Sequence, residues 1–175
     1  MSLKPQVSEN DHIDGKKDAS IELVEYGDYQ CPYCGEAYPI VKHIQEQLGR
    51  NLKFVFRNFP LKKIHPDAVM AAVASEAADL EGKYWEMHDL LYENQRRLNP
   101  HSLLDYANEL KLNMDEFEND LVDPRLEKKV MDDFYSGLRS GVNATPTFFI
   151  NGKKYDDNWR SEKFLEFLRM SVAKQ

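Results

Sequence analysis

The chain has 175 residues, with 42% hydrophobic residues and 30 acidic against 23 basic side chains, which gives a formal net charge of −7. This composition is that of a globular protein with a sizeable core, not of a disordered chain. The acidic balance argues against nucleic acid as a partner, because phosphates need a basic face. No long apolar run occurs, so the sequence predicts no membrane span.

The N-terminal region is polar and charged and predicts a flexible arm over residues 1–18. It lacks the apolar stretch of a secretory signal. The sequence as it stands therefore predicts a cytoplasmic protein. A periplasmic or exported protein is the alternative if a signal peptide has been removed.

Strand and helix signals alternate after this arm. Residues 20–28 are rich in β-branched and aromatic side chains and predict a buried strand. Residues 33–48 predict a helix, and residues 52–57 predict a second strand. From residue 66 to residue 141 the apolar residues recur at helical spacing almost throughout, which predicts a block of helices.

Strand character returns near the end of the chain. Residues 147–150 predict a strand, and the Asn151-Gly152 pair that follows is typical of a hairpin turn. Residues 160–173 predict a closing amphipathic helix, whose inward side chains are expected to be Phe164, Phe167 and Leu168. This order predicts an α/β fold in which the two flanking parts form one sheet and the helical block is inserted between them.

The only two cysteines of the chain, Cys31 and Cys34, come directly after the first predicted strand and open the first predicted helix. This arrangement is typical of a redox dithiol. Backbone amides and the dipole at a helix start favour a thiolate, so one cysteine is expected to be a nucleophile at neutral pH. Two other interpretations remain, half a zinc site without a second cysteine pair and two inert buried thiols.

Three separated motifs carry a family likeness. They are VEYGDYQCPYC at residues 24–34, RNFPL with a following HP at residues 57–66, and GVNATPTFFING at residues 141–152. Together with the helical insertion, they resemble the DsbA-like branch of the thioredoxin superfamily. They are most similar to bacterial domains that occur alone or fused behind sodium/proton antiporters. The resemblance covers nearly all of residues 8–172.

The resemblance implies a thioredoxin-like α/β fold with an inserted all-helical block. Residues 19–65 and 142–175 would form the thioredoxin-like domain, and residues 66–141 the inserted helical subdomain. The implied activity is that of a protein disulfide oxidoreductase. Its partners would be protein thiol or disulfide substrates and a recycling redox partner. A redox-active disulfide would serve without a metal or another cofactor.

Five residues receive roles at this site, Cys31 and Cys34 from their places in the dithiol and the other three from the resemblance. Cys31 would be the attacking nucleophile at the exposed helix start, and Cys34, one helical turn deeper, the resolving thiol. Pro146 matches the family's cis-proline, which lies beside the dithiol and exposes the backbone of Thr145 to an extended substrate. Glu25 matches a buried acidic residue that can shuttle a proton to the deeper cysteine. A solvated surface position is the other interpretation of Glu25.

Pro32 and Tyr33, together with Thr145, are expected to contact the substrate. The Pro-Tyr pair is that of glutaredoxins, whereas DsbA itself usually has Pro-His. Tyr33 offers a hydroxyl and no positive charge, so the resemblance implies a less oxidising couple, although Tyr33 could also be a spacer. Two alternative functions are a glutathione-linked reductase, which the Pro-Tyr pair favours, and a redox-sensing regulatory or binding module, which the antiporter-fused relatives favour.

Overall fold

A mixed β-sheet lies at the centre of the fold. The computed structural model describes residues 1–172, and within them the strands are β1 His12–Gly15, β2 Ile21–Gly27, β3 Leu52–Asn58, β4 Thr147–Ile150 and β5 Lys153–Lys154. The strand order is β1-β3-β2-β4-β5. The β2–β3 pair is parallel and the other pairs are antiparallel. Both predicted flanking parts therefore contribute to one sheet.

Helices cover this sheet. They are α1 Pro32–Leu48, α2 Ala68–Asp79, α3 Tyr84–Glu93, α4 Pro100–Glu109, α5 Met114–Asp120, α6 Pro124–Arg139 and α7 Lys163–Val172. The second to sixth of them form the predicted helical block, which lies between β3 and β4 in the chain. The exact division into two subdomains stays a prediction. No helix among residues 1–172 combines the length and the apolar character needed to cross a membrane.

The two faces of the sheet carry separate apolar clusters, because successive strand side chains point to opposite sides. On β2, Ile21 and Leu23 belong to the larger cluster, which includes the buried face of α1. Val24 and Tyr26 belong to the smaller cluster on the other face. Glu25 lies between Val24 and Tyr26 in β2, so its side chain points to the same face of the sheet as Leu23. Its carboxyl group therefore lies beneath α1.

Helix α1 begins and ends as its sequence predicts. Cys31 is the N-cap residue with extended backbone angles, and Pro32 occupies the first turn, where a missing N–H is tolerated. The helix continues through Pro39 and ends at Leu48, and the C-cap residue Gly49 has a φ of 47°, in the left-handed region that favours glycine. These local signals place both cysteines at the start of a helix that follows directly on the central strand.

The predicted hairpin is also confirmed. Asn151 and Gly152 have φ values of 47° and 75° and join β4 to β5 as a two-residue turn. In α7, which begins at Lys163, Phe164 and Leu168 are buried as expected. The expectation for Phe167 is wrong, because its side chain is 42% exposed on the outer face of that helix. Residue 173 of the predicted helix lies outside the described residues.

The prediction of a flexible arm over residues 1–18 is wrong for much of that segment. Strand β1 pairs with β3, and Leu3 is 1% exposed within the smaller apolar cluster. Asp11 accepts a hydrogen bond from the Arg57 Nε at 2.7 Å, and both side chains are almost fully buried. The segment is ordered by this ion pair and by the pairing of β1 with β3 at the edge of the sheet. Neither interaction produces a periodic pattern in the sequence of residues 1–18.

Candidate active site

The dithiol lies where the central strand gives way to α1. Both cysteines are free thiols in this structure. The Cys31 Sγ lies 3.5 Å from the carbonyl oxygen of Thr145, to which the thiol donates a hydrogen bond. Cys34 has no exposed surface, and Cys31 is only 3% exposed. The expected exposure of Cys31 is therefore wrong, because the loop that carries Thr145 packs against its sulfur.

The surroundings of Cys31 favour the thiolate. A hydrogen bond from the Cys34 thiol, the side-chain hydroxyl of Thr145 and the backbone amides of Cys34 and Tyr33 together lower its pKa from 9.0 to about 6, although burial opposes this shift. The amides belong to the first turn of α1, where N–H groups have no partner within the helix. Cys31 is thus ionised to a large extent at neutral pH.

Cys34 has the opposite character. Burial raises its pKa well above the ordinary value of 9.0, and the hydrogen bond to Cys31 and the negative charges of Glu25 and Cys31 add to the shift. Only the backbone amide of Asp28, 3.4 Å from the Cys34 Sγ, acts in the other direction. One thiol of the pair is therefore activated while its neighbour stays protonated.

Glu25 is a buried acid below this pair. It is 2% exposed, which rules out the interpretation as a solvated surface residue. Burial, helped by the negative charge of Cys31, raises its pKa from 4.5 to about 8. Its Oε1 has no hydrogen-bond partner among residues 1–172. A carboxyl group with such a pKa can exchange a proton at neutral pH.

The remaining predicted residues lie around the sulfur of Cys31. The Thr145-Pro146 peptide bond is cis, as expected, and Thr145 is buried. Pro32 and Tyr33 lie at the surface, and the Tyr33 side chain is 56% exposed. The structure thus brings Cys31, Cys34 and Thr145 together and leaves the Pro-Tyr pair accessible at the rim.

One contact that the sequence did not predict comes from the helical block. The side chain of Gln95, between α3 and α4, donates from Nε2 to the carbonyl oxygens of Tyr29 at 2.8 Å and of Cys31 at 2.9 Å. Glutamine in a polar loop is common, and no pattern in the sequence distinguishes this one.

A second missed contact comes from the loop before α7. The Arg160 guanidinium lies 5.2 Å from the ring centre of Tyr33 and 4.3 Å from that of Trp159. Its Nε donates to the Glu36 carboxylate at 2.9 Å. This cluster links the exposed Tyr33 ring to the far end of the chain.

A third contact supports the loop between β2 and α1. The buried Asp28 carboxylate lies 2.8 Å from the His65 Nδ1 and accepts hydrogen bonds from the backbone amides of Gln30 and Leu61, each at 2.8 Å. The same residue supplies the amide that faces Cys34. Among the described residues 1–172, no group of three or more His, Cys, Asp or Glu side chains is placed to hold a metal ion.

Comparison with known proteins places the chain in a family. A family model described as "Thioredoxin" matches residues 7–169. The chain belongs to this family. The curated relatives of this thioredoxin-family chain include the Na(+)/H(+) antiporter NhaA 1 of Salinispora arenicola, 41% identical over 160 residues that cover 91% of the chain and 24% of the antiporter. The chain thus spans about a quarter of the length of the curated relatives it matches.

Solved structures agree with this family. The oxidised BdbD of Bacillus subtilis superposes with a TM-score of 0.86, is 26% identical, and covers 98% of each chain. The thiol-disulfide exchange protein alpha-DsbA2 of Wolbachia pipientis has a TM-score of 0.80 at 20% identity, covering 95% of this chain and 88% of its own, which shows a shared fold. The predicted DsbA-like resemblance and thioredoxin-like fold are confirmed.

Proposed function

We propose that this chain is a thiol–disulfide oxidoreductase of the DsbA-like type that exchanges disulfides with protein substrates. One observation carries the proposal. Two neighbouring thiols in the first turn of α1 have pKa values shifted in opposite directions, Cys31 down to about 6 and Cys34 well above 9.0. A nucleophile and a resolving thiol need this difference, because only the thiolate attacks a disulfide.

The exchange begins at Cys31. Its thiolate attacks one sulfur of a substrate disulfide, the substrate S–S bond breaks, and the other substrate sulfur leaves as a thiolate. The product is a mixed disulfide between Cys31 and the substrate. Cys34 then loses its proton and attacks the Cys31 sulfur, which releases the second substrate sulfur. The protein dithiol is oxidised by two electrons and the substrate disulfide is reduced, and the reverse sequence delivers a disulfide.

Glu25 is the proposed acceptor for the Cys34 proton. Its charge acts on the pKa of Cys34, and its own pKa of about 8 allows both protonation states near neutral pH. A small cavity between α1 and α3 is lined by Glu25 and, towards the surface, by the Lys42–Asp89 ion pair. The cavity supports a role of Glu25 in passing the proton outward.

Substrate contacts are proposed at the rim. The exposed Pro32 and Tyr33 follow Cys31 directly in the chain, and the backbone carbonyl oxygen of Thr145 lies 3.5 Å from the Cys31 Sγ that attacks the substrate disulfide. An extended segment of a substrate protein could pair with that backbone, as the resemblance implies. A recycling redox partner would use the same surface to return the dithiol to its starting state.

The experiment compares two single variants, each of which serves as the matched control for the other. Cys31→Ser is expected to abolish reduction of insulin and refolding of a scrambled substrate. Cys34→Ser should instead accumulate a mixed disulfide with the substrate, visible by mass spectrometry and reversed by dithiothreitol. The chain has no other cysteine, so each adduct reports on one sulfur. Full activity of Cys31→Ser would refute the proposal.

A further inference from the structure

Gln95 makes an unusual contact with the backbone of the nucleophile. Its side-chain nitrogen lies between the carbonyl oxygens of Tyr29 and Cys31, on either side of the residue that precedes the dithiol. Carbonyl oxygens only accept hydrogen bonds, so the NH₂ end of the amide must face them. Both N–H groups of one side chain from the helical block are thereby used to hold the segment that leads into α1.

Gly35, the residue after Cys34, makes this contact possible. A Cβ atom at position 35 would lie 1.9 Å from the Oε1 and 2.7 Å from the Cδ of Gln95. No real Cβ atom tolerates such distances, and the nearest atoms are all from the flexible Gln95 amide. Alanine at this position would therefore displace the amide from its two carbonyl partners. The absence of a side chain at Gly35 therefore leaves the space that the Gln95 amide occupies when it donates its two hydrogen bonds.

We propose that Gln95 is a positioning residue for Cys31, and that glycine is required at position 35 to admit the Gln95 amide. The amide holds the Cys31 carbonyl and thus the orientation of the N-cap residue over the first turn of α1. The backbone amides of Tyr33 and Cys34 that stabilise the Cys31 thiolate belong to this turn. The proposal rests on the proposed function for its biological meaning, because it concerns the reactivity of the nucleophile.

The test is a double-substitution cycle in which Cys31 reactivity is measured directly. The variants are Gln95→Ala, Gly35→Ala and the two combined, and Gln47→Ala is the control, since it removes an exposed glutamine from the far end of α1. The readout is the rate constant for alkylation of Cys31 by iodoacetamide at a pH near its pKa of about 6. The titratable groups that act on Cys31 are Cys34 and Glu25, and no substitution changes either.

Gln95→Ala is expected to lower the alkylation rate by about fivefold, the effect of losing its hydrogen bond to the carbonyl oxygen of Cys31, which is the one of its two that acts on the nucleophile. Gly35→Ala should lower it by a similar factor, and the combined variant should be no slower than Gln95→Ala alone. Gln47→Ala should react like the wild type. An unchanged rate in Gln95→Ala, or a combined effect equal to the product of the two single effects, would overturn the proposal.

Stability gives a second readout from the same proteins. Alanine is favoured over glycine inside a helix, so Gly35→Ala should raise the free energy of unfolding once Gln95 has been shortened to Ala. In the wild-type background Gly35→Ala also displaces the Gln95 amide. It should therefore raise the free energy of unfolding by less than in the Gln95→Ala background, or lower it. Equal effects in both backgrounds would contradict the proposed contact. Alkylation and unfolding require no disulfide turnover, so failure of the proposed function would appear separately, as a wild-type protein inert towards substrates.

Discussion

At the scale of single residues, the site depends on the different hydrogen bonds and charges that surround two buried thiols. Cys31 receives hydrogen bonds from the first turn of α1, while Cys34 is held away from solvent in the same turn. Glu25 is buried beneath both and has no salt-bridge partner within residues 1–172, which costs stability in its ionised form. The proposed proton transfer to and from Cys34 would give this buried acid a function.

Glu25→Gln tests that account through the pH dependence of stability. The pKa of Glu25 is about 8 in the folded chain and 4.5 ordinarily, so the folded state binds its proton more tightly. The contribution of Glu25 to the free energy of unfolding should therefore fall as pH rises from 4.5 to 8, by on the order of 3 kcal/mol at pH 7. Glu25→Gln has no titrating group at this position. The free energy of unfolding of the variant, measured by urea denaturation, should therefore increase relative to that of the wild type as pH rises. If the free energies of unfolding of the two proteins changed with pH in parallel, the raised pKa of the buried Glu25 would be contradicted.

At the scale of elements, the edge strand β1 shows what local patterns miss. Its four residues have no clear apolar alternation, and the buried Arg57 that anchors the preceding segment lies 46 positions from Asp11. By contrast, α1 and the β4–β5 hairpin were predicted because a helical repeat, Gly49 and Asn151-Gly152 are signals within a few residues. Elements with local signals could be predicted, and elements stabilised by distant partners could not.

Asp11→Ala tests the contribution of that distant partner. The substitution leaves the Arg57 guanidinium buried without its carboxylate, and the expected loss of stability is about 3–5 kcal/mol. Glu86→Ala is the matched control, because its ion pair with Lys83 is half exposed and should contribute less than about 1 kcal/mol. Both values come from urea denaturation at neutral pH. Equal losses in the free energy of unfolding would contradict the larger contribution expected from the buried Asp11–Arg57 pair.

At the scale of the whole molecule, the candidate active site is assembled from parts far apart in the chain. The motif around Cys31 meets Thr145 from the last third of the chain, Gln95 from the helical block and Arg160 from the loop before α7. The family motifs predicted the first of these contacts. Gln95 and Arg160 could not be predicted, because a single polar side chain has no periodicity and its partners depend on how the helices pack.

The activation of Cys31 is measured directly by a pH titration of the thiolate absorbance of the reduced protein, with Cys31→Ser as the reference. Because α1 and Cys34 stabilise the Cys31 thiolate, the account predicts one thiolate appearing with a midpoint at about pH 6 in the wild type. Cys31→Ser should show no such step, since Cys34 stays protonated well beyond its ordinary pKa of 9.0. A wild-type midpoint near 9.0, or the same step in Cys31→Ser, would contradict the assignment of Cys31 as the activated nucleophile.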